Sequence, residues 1–383
     1  MHIGLNLVFL VPGETGGMEV YARELIPQLV AQAPAGMRFT AFVSRALAAE
    51  RDGPWGELLP AVTVPVDARS RPQWVLGEQL PLPPMAMRRR VALVHSLAST
   101  APLWGRFVRV TTVHDLIYER FPEAHQGIRD KGMRVLVPLA VRRSQRVIAI
   151  SQCTREDLVR LLGADPTRID VVPNGFGATR HAQPLAESET RRRLRLGDRQ
   201  VLLSVSAKRP HKNLLALIGA LALIAPEHRP LLVLPGYPTW HEAQLRERAA
   251  AVGVTGDVRF LGWISGEELE GLWAIARAFV FPSLHEGFGL PVLEAMARGV
   301  PVACSNASSL PEVAGDAALL FDPEDERAIA AAIERLLGDR AHAERLVAMG
   351  RERARLFTWE RSARLTLASY ERALSVGTGA AGA

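Results

Sequence analysis

The chain has 383 residues, 48% of them hydrophobic and 22% charged, with a formal net charge of +6. That length suits two domains, no apolar run is long enough to span a bilayer, and the two cysteines, Cys153 and Cys304, fit a reducing cytosol and give no metal-ligand spacing. The positive charge favours polyanions or an anionic membrane face, whereas the 6% of aromatics and the lack of a recognition motif set nucleic acid aside.

The run Met1–Val11 lacks a basic leader and reads as a buried first strand, Ile3–Val11, so no secretory signal is expected. Further strands are predicted at Arg38–Val43, Val91–His95, Val108–Val113, Arg146–Ile150 and Ile169–Val172, with amphipathic helices over Met18–Gln32 and Thr154–Leu162 between them. Ser151 suits the N-cap of the latter. This alternation predicts a mostly parallel sheet with helices on both faces over residues 1–175.

Pro173-Asn-Gly-Phe opens a stretch of turn signals and charge, expected to be an irregular connection over residues 176–198. A second alternating series fills residues 199–356, with strands at Val201–Val205, Pro230–Leu234, Val258–Leu261, Ala278–Phe281, Val300–Ala303 and Leu319–Phe321. A last helix, capped by Thr358, is expected over residues 357–376, followed by a disordered tail over 377–383. The class is therefore α/β: two Rossmann-like domains facing each other, with a ligand cleft between them.

The run Pro282-Ser-Leu-His-Glu286-Gly-Phe-Gly-Leu-Pro-Val-Leu-Glu294 sets two glutamates eight positions apart across a glycine turn and a helix start. Pro291 suits the first helical position and Gly299 the position just past the end. A strand, a glycine turn and a helix N-terminus make an anion site, yet carboxylates repel phosphate and suit neutral hydroxyls. A ligand holding both diphosphate and sugar, a nucleotide sugar, satisfies both halves.

The Glu286-to-Glu294 segment, continued through Pro301-Val-Ala-Cys-Ser-Asn-Ala-Ser-Ser-Leu-Pro-Glu312-Val-Ala-Gly-Asp316, resembles the signature of family 4 glycosyltransferases, retaining enzymes of the GT-B fold. Gly16-Gly-Met-Glu resembles that family's N-terminal glycine loop, Val113-His-Asp-Leu116 its acceptor-side histidine motif, Val172-Pro-Asn-Gly175 the entry to its linker and Arg209-Pro-His-Lys-Asn213 its diphosphate loop. The resemblance covers nearly the whole chain in the expected order, and it implies that the last helix crosses back onto the N-terminal domain.

Residue roles follow as implications of that resemblance. Glu286, with the backbone of Gly287, Phe288, Gly289 and Leu290, would hold the donor sugar and phosphates; the alternative is a carboxylate capping its own helix. Glu294 would accept from the ribose hydroxyls, or merely suit the helix dipole. Lys212 and Arg209 would stabilise the departing diphosphate, although many members begin this loop with glycine and arginine where this chain has Ser206-Ala207, and Lys208 competes with Arg209 for the second position. His114 would orient the sugar, and Gly16 and Gly17 would let the N-terminal loop approach the diphosphate. Leu261, Trp263 and Ile264 would wall the base pocket, with plain core the alternative for Trp263. Glu312 is either a ligand contact or structural, and the Asp322–Asp325 acidic turn reads as an exposed turn rather than a metal pair.

The expected activity is retaining transfer of a hexose, with a leaning to mannose from GDP-mannose, onto a lipid-linked or oligosaccharide acceptor in cell-surface polysaccharide or glycolipid synthesis, with no metal and no cofactor. The expected location is cytoplasmic, at the inner face of the plasma membrane, where Arg88-Arg-Arg90 could face lipid head groups or form a solvated rim. The alternatives are a relative of the same fold with other chemistry, a nucleotide-sugar epimerase or sucrose-type synthase, or a non-catalytic nucleotide-sugar-binding protein.

Overall fold

The computed structural model describes residues 1–50, 53–121, 128–177 and 182–379. The chain divides into two compact units: Met1–Gly177 with Phe357–Ala383, and Ala178–Leu356.

The first unit is built on seven parallel strands: β1 (His2–Leu7), β2 (Arg38–Val43), β3 (Ala61–Thr63), β4 (Leu93–Ser96), β5 (Val108–Val113), β6 (Arg146–Ala149) and β7 (Ile169–Val171). Their spatial order is β3-β2-β1-β4-β5-β6-β7, so the winding reverses between β1 and β4. The inner strands are buried along nearly their whole length, including polar residues such as Asn6, His95, Thr111 and Thr112, as expected where helices cover both faces. The first strand is shorter than expected. Asn6 turns its side chain to accept from the Val8 amide at 3.2 Å, Leu10 donates back to the Leu7 carbonyl at 3.1 Å, and the apolar run continues as a buried turn. β3 has no counterpart among the expected strands. It is three residues long, flanked by Pro60 and Pro65, and lies at the sheet edge.

The helix Trp359–Gly379 packs in this unit against the helix Gly17–Ala31 and strands β5 and β6. Thr358 caps it by accepting from the Arg361 amide at 3.2 Å. Trp359, Ala363, Leu367, Tyr370 and Ala373 of this helix belong to the same core as Ile3, Leu5, Tyr21 and Leu25. Tyr370 is also tied in by polar groups: its hydroxyl pairs with His95 Nδ1 at 2.7 Å, and His95 Nε2 pairs with Thr112 Oγ1 at 2.8 Å. Burial drives the His95 imidazole down to about 3, so the network is neutral at physiological pH. The helix backbone continues to Gly379, past the point where a tail was expected, and residues 380–383 lie outside those described.

The second unit has six parallel strands: β8 (Val201–Leu203), β9 (Leu231–Leu234), β10 (Val258–Phe260), β11 (Ala276–Phe281), β12 (Val302–Ser305) and β13 (Leu319–Phe321), in the order β10-β9-β8-β11-β12-β13. Its core joins Leu202, Leu232, Leu234, Ala278 and Val280 to the helices Leu214–Leu223 and Glu326–Gly338. The stretch expected to be an irregular connection contains a helix, Glu187–Leu194. It is polar nearly all round, and ion pairs Arg191–Glu187, Arg192–Glu189 and Arg193–Glu189 at helical spacing support it in place of an apolar stripe. No described helix is long and apolar enough to cross a membrane.

Candidate active site

In the second unit, β11 delivers the chain into the loop Pro282–Gly289, and the helix Leu290–Ala297 leaves it. Gly289 sits at the N-cap with φ +113, where a Cβ would also come within 2.7 Å of Leu310 Cδ2. Only glycine makes this turn cheaply. The amides of Gly289 and Leu290 have no acceptor among the described residues, as the first amides of a helix require when they are to face a ligand.

Glu286 is 8% exposed and held at both ends of its peptide. Its amide donates to Ser308 Oγ at 2.9 Å, and its carbonyl accepts from Ser309 Oγ at 3.0 Å. Ser309 also donates to the Phe288 carbonyl at 2.7 Å. The two serines come from the turn after β12, and they are the supporting residues that sequence reasoning passed over. The signal was present, because both lie inside the run quoted for the family signature.

The Glu286 carboxylate does not cap its own helix. Oε1 accepts from Lys212 Nζ at 2.6 Å, and the ammonium also lies 5.3 Å from the Phe281 ring centroid. Lys212 ends the short 3₁₀ turn Pro210–Lys212, and the two loops are joined again where the Leu284 amide donates to the His211 carbonyl at 2.8 Å. Asn213 follows with φ +56 and donates to the Pro323 carbonyl at 2.7 Å, which fixes the turn.

Lys208 and Arg209 part company. Lys208 is wholly buried and donates to the carbonyls of Gly236 and Leu261, both at 2.7 Å, with Glu242 at 3.6 Å. Burial lowers its pKa, against the pull of Glu242. Its ammonium is a staple between the ends of β9 and β10. Arg209 is only partly buried.

Glu294 lies one turn into the helix, partly covered, and its carboxylate has no hydrogen-bond or ion-pair partner among the described residues. Burial raises its pKa; Arg298 opposes this and Glu270 adds to it. Arg298 itself is engaged by Glu270, with Nε to Oε2 at 2.9 Å. Gly299 ends the helix region with φ +72.

Of the expected base-pocket residues, Leu261 and Ile264 are half-buried, while Trp263 is 71% exposed and therefore not core. Its ring lies 5.0 Å from that of Tyr237. The Glu312 carbonyl accepts from Arg353 Nη2 at 2.5 Å. Asp325 caps the helix Glu326–Gly338, accepting from the amides of Arg327 and Ala328, and Asp322 closes the turn before it. Cys304 is buried, and its thiol is pushed up to about 12; Cys153 is half-buried.

The remaining predicted residues lie in the first unit. His114 follows β5 and is 9% exposed. Its Nε2 lies 2.8 Å from the Leu97 carbonyl, which can only accept, so Nε2 carries the proton and Nδ1 the lone pair. Tyr21 packs edge-on against the ring at 4.9 Å. Burial lowers the His114 pKa, outweighing the Leu97 carbonyl and Asp115, so the ring is neutral near pH 7. Gly16, at φ 62 and ψ −132, is the N-cap of the helix Gly17–Ala31, and a Cβ on Gly16 or Gly17 would meet nothing within 4 Å. Gly16 is set by its backbone angle rather than by crowding, and Gly17, the first helical residue, by neither.

Comparison with known proteins gives the same picture over most of the length. The family model "Glycosyl transferases group 1" matches residues 186–353, and "Glycosyltransferase Family 4" matches residues 15–180. O-antigen chain mannosyltransferase B of Escherichia coli is 35% identical over 267 residues, which are 68% of this chain and 70% of that protein. A D-inositol 3-phosphate glycosyltransferase of Nocardioides is 36% identical over 253 residues, 61% of this chain and only 55% of that protein. Among solved structures, Anabaena Alr3699/HepE in complex with UDP and glucose superimposes with a TM-score of 0.72 at 22% identity, covering 97% of this chain and 99% of that one.

Proposed function

This chain belongs to the family 4 glycosyltransferases and is a hexosyltransferase that uses a nucleotide-sugar donor, and from that premise we propose that it transfers mannose from GDP-mannose, with retention, to a saccharide acceptor at a membrane surface. The observation that carries the donor reading is the Lys212–Glu286 pair at 2.6 Å beside the open amides of Gly289 and Leu290. A lone carboxylate would repel a diphosphate placed next to it. With Lys212 against it, Glu286 is neutralised on one oxygen and keeps lone pairs for sugar hydroxyls, while the ammonium and the helix N-terminus supply positive potential for the phosphates.

In this reading Arg209 is the second cation. Charge grows on the leaving phosphate as the anomeric C–O bond breaks, so fixed cations stabilise the transition state more than the ground state. The acceptor oxygen bonds to the anomeric carbon on the face the phosphate leaves, and its proton passes to a phosphate oxygen. No protein base is needed, and neutral His114, its Nε2 proton committed to Leu97, suits a sugar hydrogen bond. Glu294 accepts from the ribose hydroxyls, and Leu261, Trp263 and Ile264 flank the base. The two cations and the helix end do the work a metal would otherwise do, so activity is proposed to be metal-independent.

Mannose is favoured by the O-antigen chain mannosyltransferase among the relatives. The test is turnover of purified protein with a panel of nucleotide sugars and an oligosaccharide or lipid-linked acceptor, with the product anomer read by proton NMR. Preference for GDP-mannose and an axial linkage support the reading; an inverted product overturns it. Donor binding without turnover on any acceptor would favour the binding-protein alternative.

A further inference from the structure

We propose that the helix pair Arg71–Gln79 and Leu82–Arg88, with the loop Pro102–Phe107, is the face by which the enzyme docks on an anionic phospholipid bilayer. The proposal rests on the reading that the acceptor is met at a membrane, and it names the surface that meets it. Three large apolar side chains stand out of this face: Leu76 at 52% exposed, Leu80 at 59% and Trp104 at 46%. Leu76 and Leu80 are one helical turn apart, with the Leu80 amide donating to the Leu76 carbonyl at 2.8 Å. Trp104 is placed beside them, because its indole Nε1 donates to the Gln79 carbonyl at 2.5 Å.

The loop that carries Trp104 is held from beneath. The buried Arg109 guanidinium donates to the carbonyls of Pro102 at 2.8 Å, Phe107 at 3.2 Å and Gly105 at 2.9 Å. Gln79 clasps the same loop, donating to the Ala101 carbonyl at 2.9 Å and accepting from the Leu103 amide at 3.0 Å. Gly105, at φ +120, turns where a side chain would strike the Phe107 ring. Three carbonyls bound to one guanidinium keep an exposed indole at a set height. That is the arrangement an interfacial tryptophan needs and a merely solvated loop does not.

Charge identifies the partner. Arg88, Arg89, Arg90 and Arg106 are all exposed, and Arg106 sits at the second helix, its amide 3.5 Å from Met87 Sδ. From Ser70 to Phe107 the sequence holds one carboxylate, Glu78, and that one is buried. An apolar patch whose own segment carries four exposed arginines and no exposed carboxylate matches lipid tails beneath anionic head groups.

The test is co-sedimentation of the full chain with vesicles of phosphatidylglycerol and phosphatidylcholine, or of phosphatidylcholine alone. Wild type should bind the anionic vesicles and lose that binding as salt rises. Changing Arg88, Arg89 and Arg90 together to glutamine should lower the partition coefficient roughly a hundredfold, and Leu80→Ser with Trp104→Ser should lower it at low salt as well. Arg192, Arg193 and Arg340 changed to glutamine remove equal charge from exposed sites in the second unit and should leave binding as it was. Donor-induced thermal shift reports that each variant is folded. If the patch variants bind like wild type, another face docks and this assignment fails while a membrane acceptor stands; if wild type ignores anionic vesicles, the membrane reading itself fails.

Discussion

Lys212 Nζ and Glu286 Oε1 lie 2.6 Å apart, yet their chain positions are 74 residues apart, one after β8 and the other after β11. The pair therefore reports whether two neighbouring strand ends are in register, and it joins the cation and the carboxylate of the proposed donor site in one contact. Glu286→Ala is expected to lower kcat by at least about a hundredfold, the usual cost of removing a group that acts on the reacting centre. The melting temperature should also fall by several degrees, because the change leaves the largely covered Lys212 ammonium without its counter-charge, and kcat relative to folded protein separates the two effects. A variant with near-normal turnover would remove Glu286 from the site.

Glu294 should behave differently. Its carboxylate has no partner among the described residues, so Glu294→Gln removes acceptor capacity without breaking a protein contact. The donor KM should rise about tenfold to a hundredfold, for a loss of about 1.5–3 kcal/mol of charged hydrogen bonding, with kcat little changed. Its raised pKa gives the folded state more stability below the ordinary carboxyl value than above it, so the substitution should not destabilise at pH 8. A fall in melting temperature with unchanged KM would make Glu294 structural.

Lys208 and Arg209 are adjacent and should have opposite phenotypes. Lys208→Met leaves the Gly236 and Leu261 carbonyls without their buried donor and should cost about 2–4 kcal/mol of stability. Arg209→Ala should leave the melting temperature near wild type and lower kcat. Denaturant titration beside steady-state kinetics separates the two, and the reverse pattern would reassign the cations.

Much of the architecture was legible before the structure, and the misses share a physical cause. Buried parallel strands announce themselves as Val/Ile/Leu runs, as in Val201–Leu203 and Leu231–Leu234. β3 did not, since three residues at an edge between prolines bury too little to leave a pattern. The helix Glu187–Leu194 leaves no apolar signature in the sequence because its support is ion pairing rather than an apolar face. The paired glutamates and Lys212 were legible from motif. The partition between Lys208 and Arg209 was not, because what buries Lys208 is two carbonyls 28 and 53 residues away. Ser308 and Ser309 were visible as residues but not as supports, for the same reason: their partners arrive only when β11 and β12 pair.

Glu78 supplies the pH dependence. It is 2% exposed, and burial raises its carboxyl to about 7 from an ordinary 4.5, although Thr100 donates to it at 2.8 Å. A carboxyl raised in the folded state favours folding fully below its unfolded pKa, and that contribution is lost as pH rises through the folded one. Stability should therefore decline by about 3 kcal/mol between roughly pH 4.5 and 7 on account of this group. Glu78→Gln should flatten that decline and be the more stable protein at pH 8, measured by urea titration at a series of pH values; parallel curves for the two proteins would refute it.

Chelation tests the proposal that cations of the protein take the place of a metal. Turnover should be unchanged after dialysis against EDTA, and added Mg²⁺ or Mn²⁺ should not raise kcat by more than about twofold. A collapse on chelation that Mn²⁺ restores would require a metal at the diphosphate.

The helix Trp359–Gly379 belongs to the unit formed by the start of the chain, and Ala178–Leu356 forms the other unit in one uninterrupted stretch. A ribosome releases residues from the N-terminal end, so the second unit has all its strands before the first has the Trp359, Leu367 and Tyr370 side chains of its core. The usual order, in which the N-terminal domain closes first, is inverted here. Until the last helix emerges, the apolar face of Gly17–Ala31 and the polar pair His95–Thr112 wait without their cover, and a nascent chain stalled anywhere in between carries a finished donor-side unit and an open sheet.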